Sequence, residues 1–332
     1  MRRIVGIALV STLAAATAAC GGRQDTAATD TGGAVTCEVA QATRVGIATG
    51  NATGVYFALG NAFAEQVNAA GENVQATAAE TGASVQNIQQ LAAGTYDVAF
   101  SLADTAADAA NGTGSFTEKQ PVQALARIHT NYTQVIVRKD AGITDVAGMK
   151  GKRVSTGSPK SGTEVIANRV LKAAGLAETD VQAQKLDLTK TVDGMKEGTI
   201  DALFFSGGLP TPGITDLLTT SGDKVEFLDI TPVLPEMQKI NEVYQEGVIP
   251  AATYKTPADV KTIVVPNVLL VRENLDPNVA CVLTKTLFER KATLEQANAA
   301  AKEISLDTAR KTSPVVVHRG AAKALDDLGA PK

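Results

Sequence analysis

The sequence predicts an α/β protein built from two tandem halves. From about residue 40 onward, short apolar runs alternate with helix-like stretches. Alternation of this kind, with short connections, builds parallel βαβ units. The theme restarts near residue 133, and the chain has 332 residues, 44% of them hydrophobic. That is enough for two cores of ordinary size.

The first half opens with a strand at 44–48 (RVGIA) and an amphipathic helix over 53–68. A strand at 73–79 leads to a helix over 84–94, with Ser84 as its N-cap and Gly94 as its stop. A strand at 96–102 (YDVAFSL) closes this half. The second half reads as a strand at 133–140, a short helix capped by Thr144, and a strand at 152–157. A helix over 161–175, a strand at 181–188, the helix TKTVDGMKEG and a strand at 201–207 follow. Residues 262–274 are strand-like again, and the tail from Pro277 to Leu328 is mostly helical.

Four of these strands end in small polar residues: Thr49-Gly50, Ser101, Ser155-Thr156-Gly157 and Ser206-Gly207. Open α/β sheets bind ligands beyond such carboxyl ends, and domain interfaces favour pockets. The glycine-rich stretch TGNATGVYFALG (49–60) is the most suggestive of them. It fails as a nucleotide loop. A phosphate-binding P-loop needs Gly-Lys-Ser/Thr, and no lysine follows Gly54; the dinucleotide fingerprint needs G-x-G-x-x-G, and here the glycines lie four apart. What remains is a helix N-terminus, whose N–H groups and dipole suit any anion, a carboxylate included.

Other chemistry is poorly represented. The two histidines, His129 and His318, read as structural or surface residues, and there is no H-E-x-x-H, G-x-S-x-G or cysteine cluster. The protein is therefore expected not to be an enzyme and to carry no cofactor or metal. A net charge of −4 offers no basic patch for nucleic acid.

The N-terminus reads as a leader. Arg2 and Arg3 precede the apolar run IVGIALVSTLAAATAA, a secretory signal too short and wrongly flanked for a membrane span. Cys20 follows in Thr17-Ala18-Ala19-Cys20, which resembles a bacterial lipoprotein signal with Thr17 at the usual leucine position. A plain secretory signal with an incidental cysteine is the other reading. Residues 1–19 are thus expected to be signal peptide and 20–37 a lipidated, flexible tether rich in Gly, Ala and Thr. Cys37 and Cys281 remain as an even pair in an oxidising compartment, which invites a disulfide; two separate buried thiols are the alternative. The bridge would add about 4 kcal/mol by closing a very long loop.

Four long motifs stand out: IATGNATGVYFALGNAFAE, TGASVQNIQQLAAGTYDVAFSLADTAADAANG, AGMKGKRVSTGSPKSGTEVIANRVLKAAGL and TIVVPNVLLVRENLDPNVACVLTKTLFE. Together they resemble the TAXI family, the extracytoplasmic solute receptors of TRAP-type secondary transporters. The resemblance covers about residues 42–325. It implies a two-lobed, periplasmic-binding-protein-like fold of type II, each lobe a mostly parallel sheet flanked by helices. Lobe I would span 38–131, continued by 272–332, and lobe II 132–271. It implies a ligand enclosed between lobes, a small organic acid or amino acid such as glutamate or 2-oxoglutarate, and delivery to a membrane permease.

Matching motifs carry over a ligand-binding set. In lobe I it comprises Thr49, Gly50 and Tyr56, then Thr81, Gly82, Ser84 and Val85, and at the third strand end Ser101, Leu102 and Asp104. In lobe II it comprises Ser158, Ser161, Gly162 and Thr163, with Ser206 and Gly207. The plainer readings are turn formation at Gly50 and Gly54, helix capping by Ser84 and Ser161, and core packing of Tyr56. Asp104 fits an anionic ligand only if it meets an ammonium group or stays at the rim. Where the family shows small glycine-rich residues, this chain has Asn51-Ala52-Thr53, and Ala58 replaces a usual proline. Asn51 and Thr53 therefore join the set as residues that narrow or polarise the pocket. Arg127 and Arg138 are the first candidates for a carboxylate clamp, with surface solvation as the plain alternative.

The expected function is capture of a small anionic solute by lobe closure and transfer to a TRAP-type permease. The receptor would act as a monomer, held outside the cell membrane by its lipid. The alternatives are the binding protein of an ABC importer or the ligand-sensing partner of a two-component sensor.

Overall fold

A computed structural model describes residues 33–332. The expected signal peptide, Cys20 and most of the tether lie outside the described residues. The last stretch of the tether, from Gly33, is docked: Thr36 and Cys37 donate their amides to Asn278 Oδ1 at 2.9 and 3.0 Å, and Arg319 Nη1 reaches Gly33 O at 3.1 Å. Cys37 and Cys281 are joined in a disulfide with Cα atoms 5.2 Å apart, across a sequence separation of 244.

The first half runs β1 (Thr43–Ala48), α1 (Val55–Ala70), β2 (Val74–Ala79), α2 (Ser84–Ala92), β3 (Val98–Leu102) and α3 (Ala103–Asn111). The long strand β4 (Val122–Arg138) leads out of it. The second half runs β5 (Arg153–Ser155), α4 (Gly162–Ala173), β6 (Gln182–Gln184), α5 (Leu188–Glu197), β7 (Ala202–Gly207) and α6 (Pro212–Ser221). After it come β8 (Val225–Phe227), α7 (Leu234–Ile240), β9 (Gln245–Ile249) and α8 (Ala251–Tyr254). A second long strand, β10 (Val260–Arg272), returns to the first half. There α9 (Pro277–Glu289), α10 (Lys291–Ala297), α11 (Leu306–Ala309) and α12 (Arg319–Asp327) cover it.

The strands form one sheet in the order β2-β1-β3-β10-β4-β7-β5-β6. Outer pairs are parallel, β1 with β2 and β3, and β5 with β6 and β7. The centre is antiparallel, because β4 and β10 pass through both halves in opposite directions. The N-terminal part of β4 and the C-terminal part of β10 serve lobe I; their other ends pair with β7, β8 and β9 in lobe II. Two register breaks, between Pro266 and Val268 and between Leu269 and Leu270, fall where these strands cross. Proline cannot donate to the ladder, and a bulge lets the paired strands bend there.

Apolar side chains of β1, β3 and α1 pack with α9 and α12 in one core. Those of β5, α4 and β7 form another with α7. This is the two-lobed α/β fold of type II periplasmic binding proteins, with its cleft between the lobes.

Some local expectations need correction. Ser84 is the first helical residue of α2, not its N-cap, which is Ala83 at φ 77°. Thr144 starts no α-helix; Asp145 turns the chain by accepting from Gly148 N, and only a 3-10 turn over Ala147–Met149 forms. The strand read at 133–140 begins eleven residues earlier, at Val122.

Candidate functional site

The cleft holds a cavity of about 30 Å³, lined by residues of both lobes. Three helix N-termini meet there. Gly54, Val55 and Tyr56 bring the start of α1, Ala83 and Ser84 that of α2, and Ser161, Gly162 and Thr163 that of α4. The first-turn amides of a helix have no partner within it and carry the positive end of its dipole. Among the described residues no side chain caps α1 or α2, while Ser161 Oγ caps α4 by accepting from Glu164 N at 3.0 Å. Asn131, Phe205, Ser206 and Gly207 supply the floor from β4 and β7.

Close approach of the lobes depends on Gly162. A Cβ at that position would stand 2.6 Å from Ser84 Oγ and would also strike the Leu102 side chain. Glycine there lets α4 of one lobe meet β3 and α2 of the other. The contact is reinforced around it. Lys160 O accepts from Gln86 N at 3.0 Å, Thr53 O from Gly213 N at 3.2 Å, and the Thr53 and Thr189 hydroxyls lie 3.3 Å apart.

Of the expected set, Gly50, Asn51, Tyr56, Ser84, Leu102, Ser161, Gly162, Thr163, Ser206 and Gly207 line the cavity. The others are nearby but turned elsewhere. Thr49 Oγ1 donates to Ala79 O at 2.6 Å, and Thr81 Oγ1 to Asn87 Oδ1 at 2.6 Å. Gly82 N is held by Gln86 Oε1, Val85 sits in the lobe I core, and Ser101 Oγ donates to Leu102 O at 3.0 Å. Ser158 and Thr53 bond across the cleft at its edge rather than line it.

Asp104 is fully buried and does not line the cavity. Its carboxylate receives Arg169 Nη1 at 3.0 Å and the Tyr244 hydroxyl, and Arg169 Nη2 binds Asp108 Oδ2 at 2.6 Å. The cluster ties α3 to α4 and to the segment before β9. Burial pushes the Tyr244 hydroxyl and the Asp108 carboxyl up; burial opposes the Arg169 charge, yet the surrounding oxygens leave it raised. Neither expected clamp reaches the site: Arg138 pairs with Asp140 on the surface, and Arg127 is half-buried beside Glu303. Among the described residues, none that lines the cavity is charged.

Behind the cavity lies a buried polar network. Tyr56 OH donates to Asn267 Oδ1, and Asn267 Nδ2 donates to His129 O at 2.9 Å and Asn131 Oδ1 at 2.6 Å. Asn267 occupies the register break where β4 and β10 cross, so a cavity-lining tyrosine is bonded directly to the crossing strands. Burial pushes the Tyr56 hydroxyl up and His129 down, which keeps both neutral. His318 is structural too, capping α12 by accepting from Gly320 N. Asn131 escaped the sequence reading because it sits inside a strand, not at a strand end. Among the described residues no group of three or more His, Cys, Asp or Glu is placed to hold a metal ion.

Similarity to known proteins matches this class of fold. A protein from Bordetella bronchiseptica RB50 superposes with a TM-score of 0.57 at 19% identity, covering 86% of this chain and 98% of its own. The binding-protein component of an ABC phosphonate transporter from Pseudomonas aeruginosa superposes at 0.51 and 13% identity, covering 87% of this chain and 96% of its own. The profile of the NMT1-like family matches residues 47–329, and the chain belongs to that family.

Proposed function

We propose that this protein is an extracytoplasmic solute receptor of the TAXI type, which captures a small anionic solute by closing its lobes and passes it to a TRAP-type permease. One observation carries the reading: three helix N-termini, contributed by both lobes, converge on one cavity between them. A ligand bridging such termini is bound only when the lobes are together, so it draws them closed. The lobes would be 38–131 with 272–332, and 132–271, hinged where β4 and β10 cross. Cys20 would carry the lipid that holds the receptor, a monomer, at the membrane. Binding without turnover fits a lining that holds no acid, base or nucleophile pair.

A second reading has a specific support, the likeness to the binding-protein component of an ABC phosphonate transporter. The two readings share the capture step and differ in the permease.

A thermal-shift screen of the purified protein against organic acids, amino acids, sulfonates and phosphonates tests the capture step. A ligand at 100 times its dissociation constant stabilises the native state by about 2.7 kcal/mol. A clear rise in Tm with one class of anion is expected; no rise with any small anion would remove the receptor reading. Uptake in cells carrying the candidate permease then separates TRAP from ABC coupling.

A further inference from the structure

We infer that the cleft takes a compact monoanion, such as a short 2-oxo or 2-hydroxy acid, and that Asn51 sets its size limit. The inference rests on the receptor reading and narrows it to a charge and a length.

The charge follows from the lining. An enclosed ammonium needs a carboxylate partner, because burying an unpaired charge is costly. Among the described residues no acid lines the cavity, and Asp104, the nearest acid of the expected set, is already bonded to Arg169 and Tyr244. An amino acid would therefore leave its ammonium unpaired. One carboxylate is a different case. Helix N-termini each act as roughly half a positive charge, and three of them face the cavity. Neutral donors stand beside them. Ser206 is 7% exposed and its hydroxyl has no partner among the described residues, and Asn131 offers its amide NH₂ once its Oδ1 is taken by Asn267. Neutral donors suit a keto or hydroxyl oxygen next to the carboxylate.

The size limit follows from Asn51, which lines the cavity and bonds across the cleft to lobe II. Its Nδ2 donates to Ser158 Oγ at 3.0 Å, and its Oδ1 accepts from Ser158 Oγ at 3.2 Å and from Leu188 N at 3.3 Å. The carboxamide thus covers the N-terminus of α5 as an internal substitute for a ligand. Asp187, the N-cap of α5, is held by Lys190 Nζ at 3.0 Å. A second carboxylate reaching past Asn51 would find no charged partner in the described lining. The cavity measures about 30 Å³ and is partly open to solvent, roughly twice the room that one water requires.

Calorimetric titration of the full protein with pyruvate, L-alanine, succinate and 2-oxohexanoate tests both parts. Pyruvate is expected to bind at least about 10-fold tighter than L-alanine, which adds an ammonium, and than succinate, which adds a carboxylate. In Asn51→Ala, the preference for pyruvate over 2-oxohexanoate is expected to shrink by about 10-fold as the cavity opens there. L-Alanine or succinate binding as tightly as pyruvate would overturn the monoanion and leave the receptor intact. An unchanged pyruvate-to-2-oxohexanoate ratio in Asn51→Ala, with native Tm, would overturn the role of Asn51. Failure of every probe, together with a thermal-shift screen blank for all small anions, would overturn both the inference and the receptor reading.

Discussion

The lobes meet in two regions made of opposite materials. At the contact between α3 and α4, Asp104, Asp108, Arg169 and Tyr244 form a buried charged cluster in which the Asp104 and Arg169 charges are matched internally. In the cavity, whose lining begins two residues from Asp104 and six from Arg169, the described residues are uncharged and the positive field comes from backbone dipoles. The difference separates two tasks. Side-chain charges that neutralise one another hold elements together but have nothing left for a solute. Fixed N–H groups remain available, need no reorganisation, and cost less to strip of water than an arginine would.

The charged region should be the more fragile. Arg169→Met leaves two buried carboxylates facing each other, and breaking a buried ion pair on one side costs about 3–5 kcal/mol. Urea unfolding of the variant checks this, and a loss below about 1 kcal/mol would mean that the cluster contributes little. The neutral network behind the cavity should show itself through pH. Burial holds His129 below its ordinary range, so below about pH 6.5 the unfolded chain takes a proton that the folded chain resists. Stability should then fall on acidification by up to about 1.4 kcal/mol per pH unit more in wild type than in His129→Asn, until the folded pKa is reached. Parallel melting curves of the two proteins from pH 7.5 to 5.5 read the difference directly. The smallest effect on stability belongs to Gly162→Ala, which raises helix propensity by about 1 kcal/mol at most. Its methyl group nevertheless stands in the space between α4 and Ser84. Small-angle scattering should show a larger radius of gyration with ligand present than wild type has.

The same contrast explains what could be read in advance. The βαβ halves, the glycine loop and most cavity residues were legible because strand ends and helix starts are local features. Ser161, Gly162, Thr163, Ser206 and Gly207 sit where a strand or a loop turns toward a helix, and their position in sequence is their position in the site. Asp104 was misplaced because nothing local shows that Arg169, 65 residues on, reaches back to occupy it. Asn131 and Asn267 were missed for the complementary reason. They lie inside long apolar strands, and only the crossing of β4 and β10 turns them toward Tyr56. The stretch from 208 to 259 was passed over; β8, α7, β9 and α8 have seven residues or fewer, while α6, at ten, was long enough to be read.

The central claim is that backbone termini, not cations, bind the solute. Ser161→Asp tests it most directly, because aspartate caps a helix as well as serine does and should leave the fold intact. It also places a negative charge at the mouth of α4, beside the bound anion. With the best anion from the screen, the variant is expected to keep a native Tm without ligand and to lose at least about 100-fold in affinity by calorimetric titration. Unchanged affinity in a protein of native Tm would contradict the claim, and would place the solute away from the three helix ends.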